Sequence, residues 1–547
     1  MLHRADISPL IKGDVLDDAK TLKEYSRDKS IFERAPALVV FPKSEEDVVA
    51  LVRYVNGQKA AGKIISIAAR GGGSDMSGGP LTDSIVLDFS RYMNRINGMD
   101  GETIIAEAGA FYRDIEKVTL AQGLVFPSYP ASKQLATLGG MIANNAGGEL
   151  TLRYGKTDKY VHELEVVLSD GSLAAVRRLS KRQLEAKKTE NSFEGEIYRN
   201  IATLLSKNAA LIEKARPSVT KNSAGYALWD VYDRKSETFD LTELITGSQG
   251  TLALITSARI GLVRRKSHRA MLVIFLSDLE IMPEIVSRIL AHGPESFESY
   301  DDHTFKLAVR FMPQLVSTFG ILKMLALAFA FIPEIWAVFS GGVPKLILMA
   351  EFAEESAAEA RDKAREARDS LHGLAVRTKL ATSEAHAEKY WAVRRGSFNL
   401  LRKNLHGLYA APFIDDIVVH SSDYPRFLPE LNAILNRHHL LYTIAGHAGD
   451  ANFHIIPLLD MAKLENRQMI IELQEKVYTL VGKYRGSITG EHNDGIIRTP
   501  YLPIMYGEEV CKLFAEVKKI FDPKNIFNPG KKVGGTIEDI RKYMIDR

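Results

Sequence analysis

A single cysteine, Cys511, stands in a chain of 547 residues. A disulfide, an internal iron-sulfur cluster and a cysteine zinc site each need at least two thiols, so all three are excluded. Any redox chemistry must therefore use a bound organic cofactor. An excess of one charge is also missing: 71 Lys and Arg face 68 Asp and Glu, with no basic arm or stripe. Nucleic acid is accordingly not expected as a partner. The opening MLHRADISPLIKGDVLDDAK has neither the basic start nor the apolar core of a signal peptide, which predicts a reducing cytoplasmic setting. Long unbroken hydrophobic runs are lacking too, since ILKMLALAFAFIPEIWAVF, from Ile321 to Phe339, is interrupted by Lys323, Pro333 and Glu334. It is too broken to span a bilayer. Two readings of it stay open: a buried helical hairpin, or a surface element at the membrane interface with Trp336 at headgroup depth.

What is present fits two domains, because the chain exceeds what one hydrophobic core supports. Ser44 and Asp47 resemble a capping box, and Val48, Val49, Leu51, Val52 and Val55 continue as the apolar stripe of a helix ending near Gly62. Strand-like runs follow at KIISIAA, SIVLDF and TIIAEAG. HELEVVL and SLAAVRR flank Asp170-Gly171, a favoured hairpin turn. Hairpins mixed with helices make the fold class α+β. There is no internal repeat.

Glycine is concentrated in loops. ARGGGSDMSGG (69–79) lies between two strands, and VFPSYPASKQLATLGGMIANNAGGE (125–149) holds two more Gly-Gly pairs. The first lacks the Lys-Ser/Thr of a P-loop, and Met76 stands where a Rossmann fingerprint would place its last glycine. Glycines without Cβ can still crowd backbone N-H groups around a pyrophosphate. With GSQGTLALIT (247–256) as a third such element, that reading outweighs tight turns alone.

Near the C-terminus, GHAGDANFH (446–454) precedes TGEHNDG (489–495). These motifs hold His447, His454, Glu491 and His492, and the intervening glycines and Asp450 read as a tight turn that lets two rings face one point. The alternative is two unrelated loop histidines and a solvated Glu-His pair.

PALVVFPKSEEDVVALVRYV, RGGGSDMSGG, LGGMIANNAGG and GSQGTLALIT, in that order, resemble the FAD-binding half of flavoproteins of the vanillyl-alcohol-oxidase and p-cresol-methylhydroxylase (PCMH) type. The histidine motifs and FDPKNIFNPGK (521–531) resemble the branch with D-lactate and D-2-hydroxyglutarate dehydrogenases. The resemblance implies a two-subdomain PCMH-type FAD-binding domain over residues 1–265, rejoined by 510–547, and an α+β substrate cap with an antiparallel sheet over 266–509. The apolar insertion falls near 315–345 within that cap.

By the same resemblance, FAD lies with its pyrophosphate on Gly71, Gly72, Gly73, Ser74 and Gly78. Thr137, Gly139, Gly140, Asn144, Gly147, Gly247 and Thr251 add further contacts. No histidine occupies the glycine loop, so noncovalent FAD is expected. His447, His454 and Glu491 are implied as ligands of a divalent metal, zinc first and manganese second, with His492 as the base. YWAVRRGSF (390–398) matches the family's Trp-x-x-Arg element and makes Arg394 the clamp for a substrate carboxylate, a task a planar guanidinium does better than an ammonium.

Three departures bear on the substrate. Ala451 replaces the second glycine of the family's Gly-Asp-Gly-Asn, Asn493-Asp494 follow Glu491-His492, and PFIDDIVVH (412–420) lacks the lysine that D-2-hydroxyglutarate enzymes often carry near Ile414. The reading that results is metal-assisted oxidation of a small D-2-hydroxy acid, D-lactate first, with D-2-hydroxyglutarate or glycolate as alternatives. Electrons would pass to a quinone or another respiratory acceptor, which favours peripheral contact of 321–339 with the cytoplasmic face of the membrane. Two rivals share the scaffold: an alkylglycerone-phosphate-synthase-like transferase, which typically has a run of histidines where Glu491-His492 stand, and a non-catalytic flavoprotein subunit. The retained histidines, Glu491 and Arg394 argue against both.

Overall fold

The computed structural model describes residues 2–301, 344–381, 383–403, 407–438 and 440–546. The apolar stretch 321–339 lies outside the described residues. The N-terminal half builds two sheets. One has four strands in the order Asp14–Leu16, Leu38–Phe41, Ile85–Asp88, Ile67–Arg70, the last three mutually parallel. The other is antiparallel, in the order Ile96–Asp100, Thr103–Glu107, Leu254–Gly261, Val161–Val167, Leu173–Arg177. The expected hairpin at Asp170-Gly171 forms, with Gly171 taking the positive φ (+83°) that the turn demands.

The helix Glu45–Ala60 also forms, and Val48, Leu51, Val52 and Val55 are fully buried. Each such side chain contributes on the order of 1.5–3 kcal/mol, so a charge at Leu51 would break this packing. The capping box does not form. Ser44 makes no cap hydrogen bond, and Asp47 instead accepts the N-H groups of Lys12 and Lys43, each at 2.8 Å. An aspartate reaches less far back than the glutamate of a true box, and the incoming chain offers it nearer donors. The main N-terminal core extends to Val510, Leu513, Phe514, Val517, Phe521, Ile526 and Phe527, so late segments of the chain pack back onto the first half.

Between these segments lies a second antiparallel sheet, ordered Arg377–Ala381, His268–Leu276, Leu346–Glu354, Ser296–Asp301, Leu441–His447, Asn452–Leu459, Tyr409–Ala410. Helices Met282–Leu290 and Ala357–Asp369 bury one face of it through Leu272, Ile274, Leu348 and Ala350. Residues directly opposite across strands share a face, which puts Val273, Met349 and Glu298 together on the other side. Helix Glu384–Lys403 covers part of that second face with Tyr390 and Trp391. Its Arg395 reaches Glu149 of the N-terminal half at 2.8 Å. Beside this ion pair a cavity of about 250 Å³ lies between the halves, lined by Tyr129, Glu149, Arg269, Met271, Trp391 and Arg395.

Candidate active site

The sheet register brings the histidines together. Ala445 pairs with His454 and His447 with Asn452 across one hairpin, while Ser299 and Tyr300 of the neighbouring strand pair with Gly446 and Ala445. Glu298, His447 and His454 thus meet on the same face. The hairpin turns through Ala448–Asp450 and places Ala451 in the left-handed region at φ +54°. That conformation costs a non-glycine residue roughly 1–2 kcal/mol. The Ala451 methyl is buried in the core, worth about 0.8 kcal/mol, which offsets much of the strain.

Three imidazoles converge on one oxygen. The Nε2 atoms of His447, His454 and His492 lie 3.1, 3.5 and 3.9 Å from Glu491 Oε1. Their outer nitrogens face carboxylates: His447 Nδ1 is 2.6 Å from Glu298, and His454 and His492 Nδ1 are 3.0 and 2.8 Å from the two oxygens of Asp415. A carboxylate behind each ring fixes its orientation and raises its basicity, which is how metal-binding histidines are held. Arg394 is brought to the same place, its Nη2 lying 3.2 Å from Glu298 Oε2.

Burial opposes charge on these rings, but the carboxylates prevail. His454 is lifted to about 10 by Asp415 against that burial, and His447 and His492 are raised by Glu298 and by Asp416 with Asp415. Glu491 is held well below the carboxylate range, burial being overcome by Lys221 and His447. With the three rings neutral, as metal ligands must be, buried Glu298, Asp415, Asp416, Asp450 and Glu491 outnumber the cations Lys156, Lys221, Arg394 and Arg498 around them, so an ion would take the place of the rings' protons. In that state the site favours an added cation, and two imidazole nitrogens with one carboxylate oxygen suit a divalent transition metal, which leaves the third imidazole free of the ion.

The tightest group of ligand atoms among the described residues, all within 4.8 Å, is Asp416, His454, Glu491 and His492, and it omits His447. Asp416, however, is engaged on both oxygens, Oδ2 most heavily. Its Oδ2 accepts from Thr489 Oγ1 and from the N-H groups of Glu491 and His492 at 2.6, 2.9 and 2.7 Å, and its Oδ1 from Asn452 at 3.0 Å. Its first task is to shape the loop that carries Glu491.

The glycine loops adjoin this loop. A Cβ on Gly72 would come 1.8 Å from the Leu135 carbonyl and one on Gly71 2.2 Å from Thr137 Oγ1, so the two loops press together where only glycine fits. Gly73 and Gly78 take φ of +65° and +79°. Thr137 caps helix Leu138–Asn144 through Gly140 N, and Gly139 packs on Ala108. Ser74 contacts Ser132 at 3.4 Å. Asn144 Nδ2 donates to the Glu491 carbonyl at 3.3 Å, and Asn493 Nδ2 donates to the carbonyls of Asn144 and Gly247 at 3.1 and 2.8 Å. The glycines at 71 and 72 are thus required by loop-on-loop packing, because a side chain there would run into the neighbouring segment. The Thr251 hydroxyl donates to Ser248 O and meets Tyr226 Oη, both at 2.7 Å, in a fully buried position, so its side chain is committed within the protein.

Sequence reasoning missed Glu298, Asp415, Asp416, Lys156, Lys221 and Arg498. Two adjacent aspartates inside PFIDDIVVH were the available signal, because carboxylates in an apolar run must be buried and paired. Asn493-Asp494, a departure from the family pattern, now has a role. Asn493 bridges to the flavin-type loops, and Asp494 receives Gly225 N at 2.9 Å and Lys532 Nζ at 3.0 Å.

Two family models match consecutive parts of the chain, the FAD binding domain over residues 36–177 and the FAD linked oxidases, C-terminal domain, over residues 265–532. The chain belongs to the PCMH-type FAD-linked oxidases that join these two domains. A D-2-hydroxyglutarate dehydrogenase of Escherichia coli (strain K12) is 30% identical over 95% of this chain and 50% of its own length. A D-lactate dehydrogenase of Archaeoglobus fulgidus is 26% identical over 91% of each. The chain spans about half the length of the first of these relatives. A solved 4-ethylphenol oxidase from Gulosibacter chungangensis shares the fold, with a TM-score of 0.66 at 15% identity over 98% of this chain and 97% of that one.

Proposed function

We propose that the chain oxidises a small D-2-hydroxy acid, D-lactate first, to its 2-oxo acid. The observation that carries this reading is the convergence of three carboxylate-backed Nε2 atoms on Glu491 Oε1, next to the loops of an FAD binding domain. Gly71, Gly72, Gly73, Ser74 and Gly78 would cradle the FAD pyrophosphate, and His447, His454 and Glu491 would hold a divalent ion, zinc before manganese. When bound, FAD supplies the hydride acceptor and the ion a Lewis acid for the hydroxyl oxygen.

The remaining work falls to side chains. His492, the most exposed of the three rings at 21% against 8% and 11% for His447 and His454, presents Nε2 to the substrate hydroxyl and takes its proton there. Asp415 faces its Nδ1 and stabilises the resulting imidazolium. Arg394, oriented by Glu298, clamps the substrate carboxylate. D-2-hydroxyglutarate is the second reading, favoured by the relative of that name at 30% identity. Anaerobic mixing with D- and L-2-hydroxy acids tests the proposal. Bleaching of the flavin by a D-acid alone supports it, and a flavin that no hydroxy acid reduces would end it.

Electrons are proposed to leave for a quinone or an electron-transfer protein. Among the described residues no helix is long and apolar enough to cross a membrane. Contact through 321–339 rests on sequence, and vesicle sedimentation of wild type against a Phe331→Ser, Trp336→Ser variant checks it. Wild-type protein that stays in the supernatant would remove the membrane contact.

A further inference from the structure

Glu491 presents its two oxygens to different surroundings. Oε1 faces the three imidazoles, whereas Oε2 is 3.1 Å from the ammonium of Lys221, which also lies 3.4 Å from Asp450 Oδ2. The Lys221 side chain is completely buried. Gly147 lies on another side of Oε2, where the missing side chain leaves the oxygen its place: a Cβ built there would stand 3.0 Å from it. Both neighbours belong to the N-terminal half, although Glu491 lies 270 positions beyond Lys221. Thr220, next in the chain, donates to the Asp450 carbonyl at 2.8 Å and ties the same segment to the histidine turn.

We infer that Lys221 is a positioning residue that makes Glu491 a one-oxygen ligand. This rests on the metal reading above. A carboxylate free on both oxygens can chelate an ion and fill the position that substrate must enter; an ammonium on Oε2 holds it against that rotation. Only Oε1 is left to the ion, and the fourth position stays open. Lys221 also offsets part of the buried negative charge, so its like charge limits how tightly the ion is held. Asp450 shares the ammonium and tempers that repulsion.

The test uses full-length, FAD-loaded protein in which Co2+ replaces the native ion, because the visible absorption of Co2+ weakens as its coordination number rises. Lys221→Met is expected to bind Co2+ with weaker absorption, to release it to a chelator roughly tenfold more slowly, and to need more substrate, at unchanged FAD content. Asp450→Asn is expected to act in the opposite sense on release, since the ammonium then bears on Glu491 alone, with the absorption intensity unchanged. A purely structural lysine would shift both variants the same way, with their melting temperatures. Wild-type absorption and release rate in Lys221→Met would overturn the inference. If Lys221→Met does not fold, an unaltered release rate in Asp450→Asn overturns it equally. Wild-type protein that takes up no Co2+ sinks the metal reading itself, and this inference with it.

Discussion

Arg394 and His447 are joined through one carboxylate: Glu298 Oε1 lies 2.6 Å from His447 Nδ1, and Glu298 Oε2 lies 3.2 Å from Arg394 Nη2. One buried glutamate thus orients both a candidate metal ligand and the candidate substrate clamp. Glu298→Gln keeps the shape but removes the charge. It is expected to weaken metal binding roughly 10- to 100-fold and to raise the substrate concentration needed for half-maximal flavin reduction. Chelator competition and stopped-flow reduction measure the two effects, and a change in neither would detach Glu298 from the site.

Arg394→Lys separates the clamp from the ligand. An ammonium can still pair with Glu298 but cannot reproduce the two-pronged contact with a carboxylate. Metal content should hold while the substrate requirement rises and flavin reduction slows. An unchanged kinetic profile would return Arg394 to a purely structural role.

Ligands and base should part company on substitution. His447→Ala, His454→Ala and Glu491→Ala are each expected to lose metal and turnover together while retaining FAD. His492→Ala should keep the metal and lose turnover by roughly a hundredfold to ten-thousandfold. Loss of metal from His492→Ala would instead favour the grouping of His454, Glu491 and His492.

Acid precipitation should release the FAD into a yellow supernatant, since no histidine stands in the glycine loop of residues 69–79. Flavin retained in the pellet would show a covalent link from elsewhere in the chain.

Stability should fall with rising pH through Glu243. Burial, then Asp158, Asp230 and Asp240, push its carboxyl from 4.5 up to about 9. The folded state therefore holds a proton that the unfolded chain gives up. This contribution is complete below pH 4.5 and is lost progressively as pH rises to about 9. Glu243→Gln should flatten the decline of melting temperature over that window and melt above wild type at its upper end. Parallel curves for the two proteins would contradict this.

The fold was legible where periodicity is local. The stripe from Val48 to Val55 and the hairpin at Asp170-Gly171 are set by neighbours in sequence, and both formed. The capping box at Ser44 was misread because the donors that captured Asp47, on Lys12 and Lys43, are chosen by tertiary packing. In the site, His447, His454, Glu491 and His492 were visible as unusual residues at close spacing. Their supports were not. Glu298 and Lys221 are ordinary charges in sequence, and only the strand register and the packing of the halves reveal their partners. Thr251 shows the converse, a polar residue in a flavin-type motif whose hydroxyl has partners inside the protein that its neighbours in sequence do not announce.

The bonds that stitch the Glu491 loop to the first half also fix an order of assembly during synthesis. Asn144 must wait 347 residues for the Glu491 carbonyl, and Ser223 must wait 309 for Lys532. A ribosome finishes the glycine loops early in translation, but His492, the proposed base, emerges long afterwards. Lys532, which secures Asp494 just beyond that ring, comes later still. A chain released before Lys532 therefore carries every glycine of the early loops and lacks the clasp on the loop that packs against them.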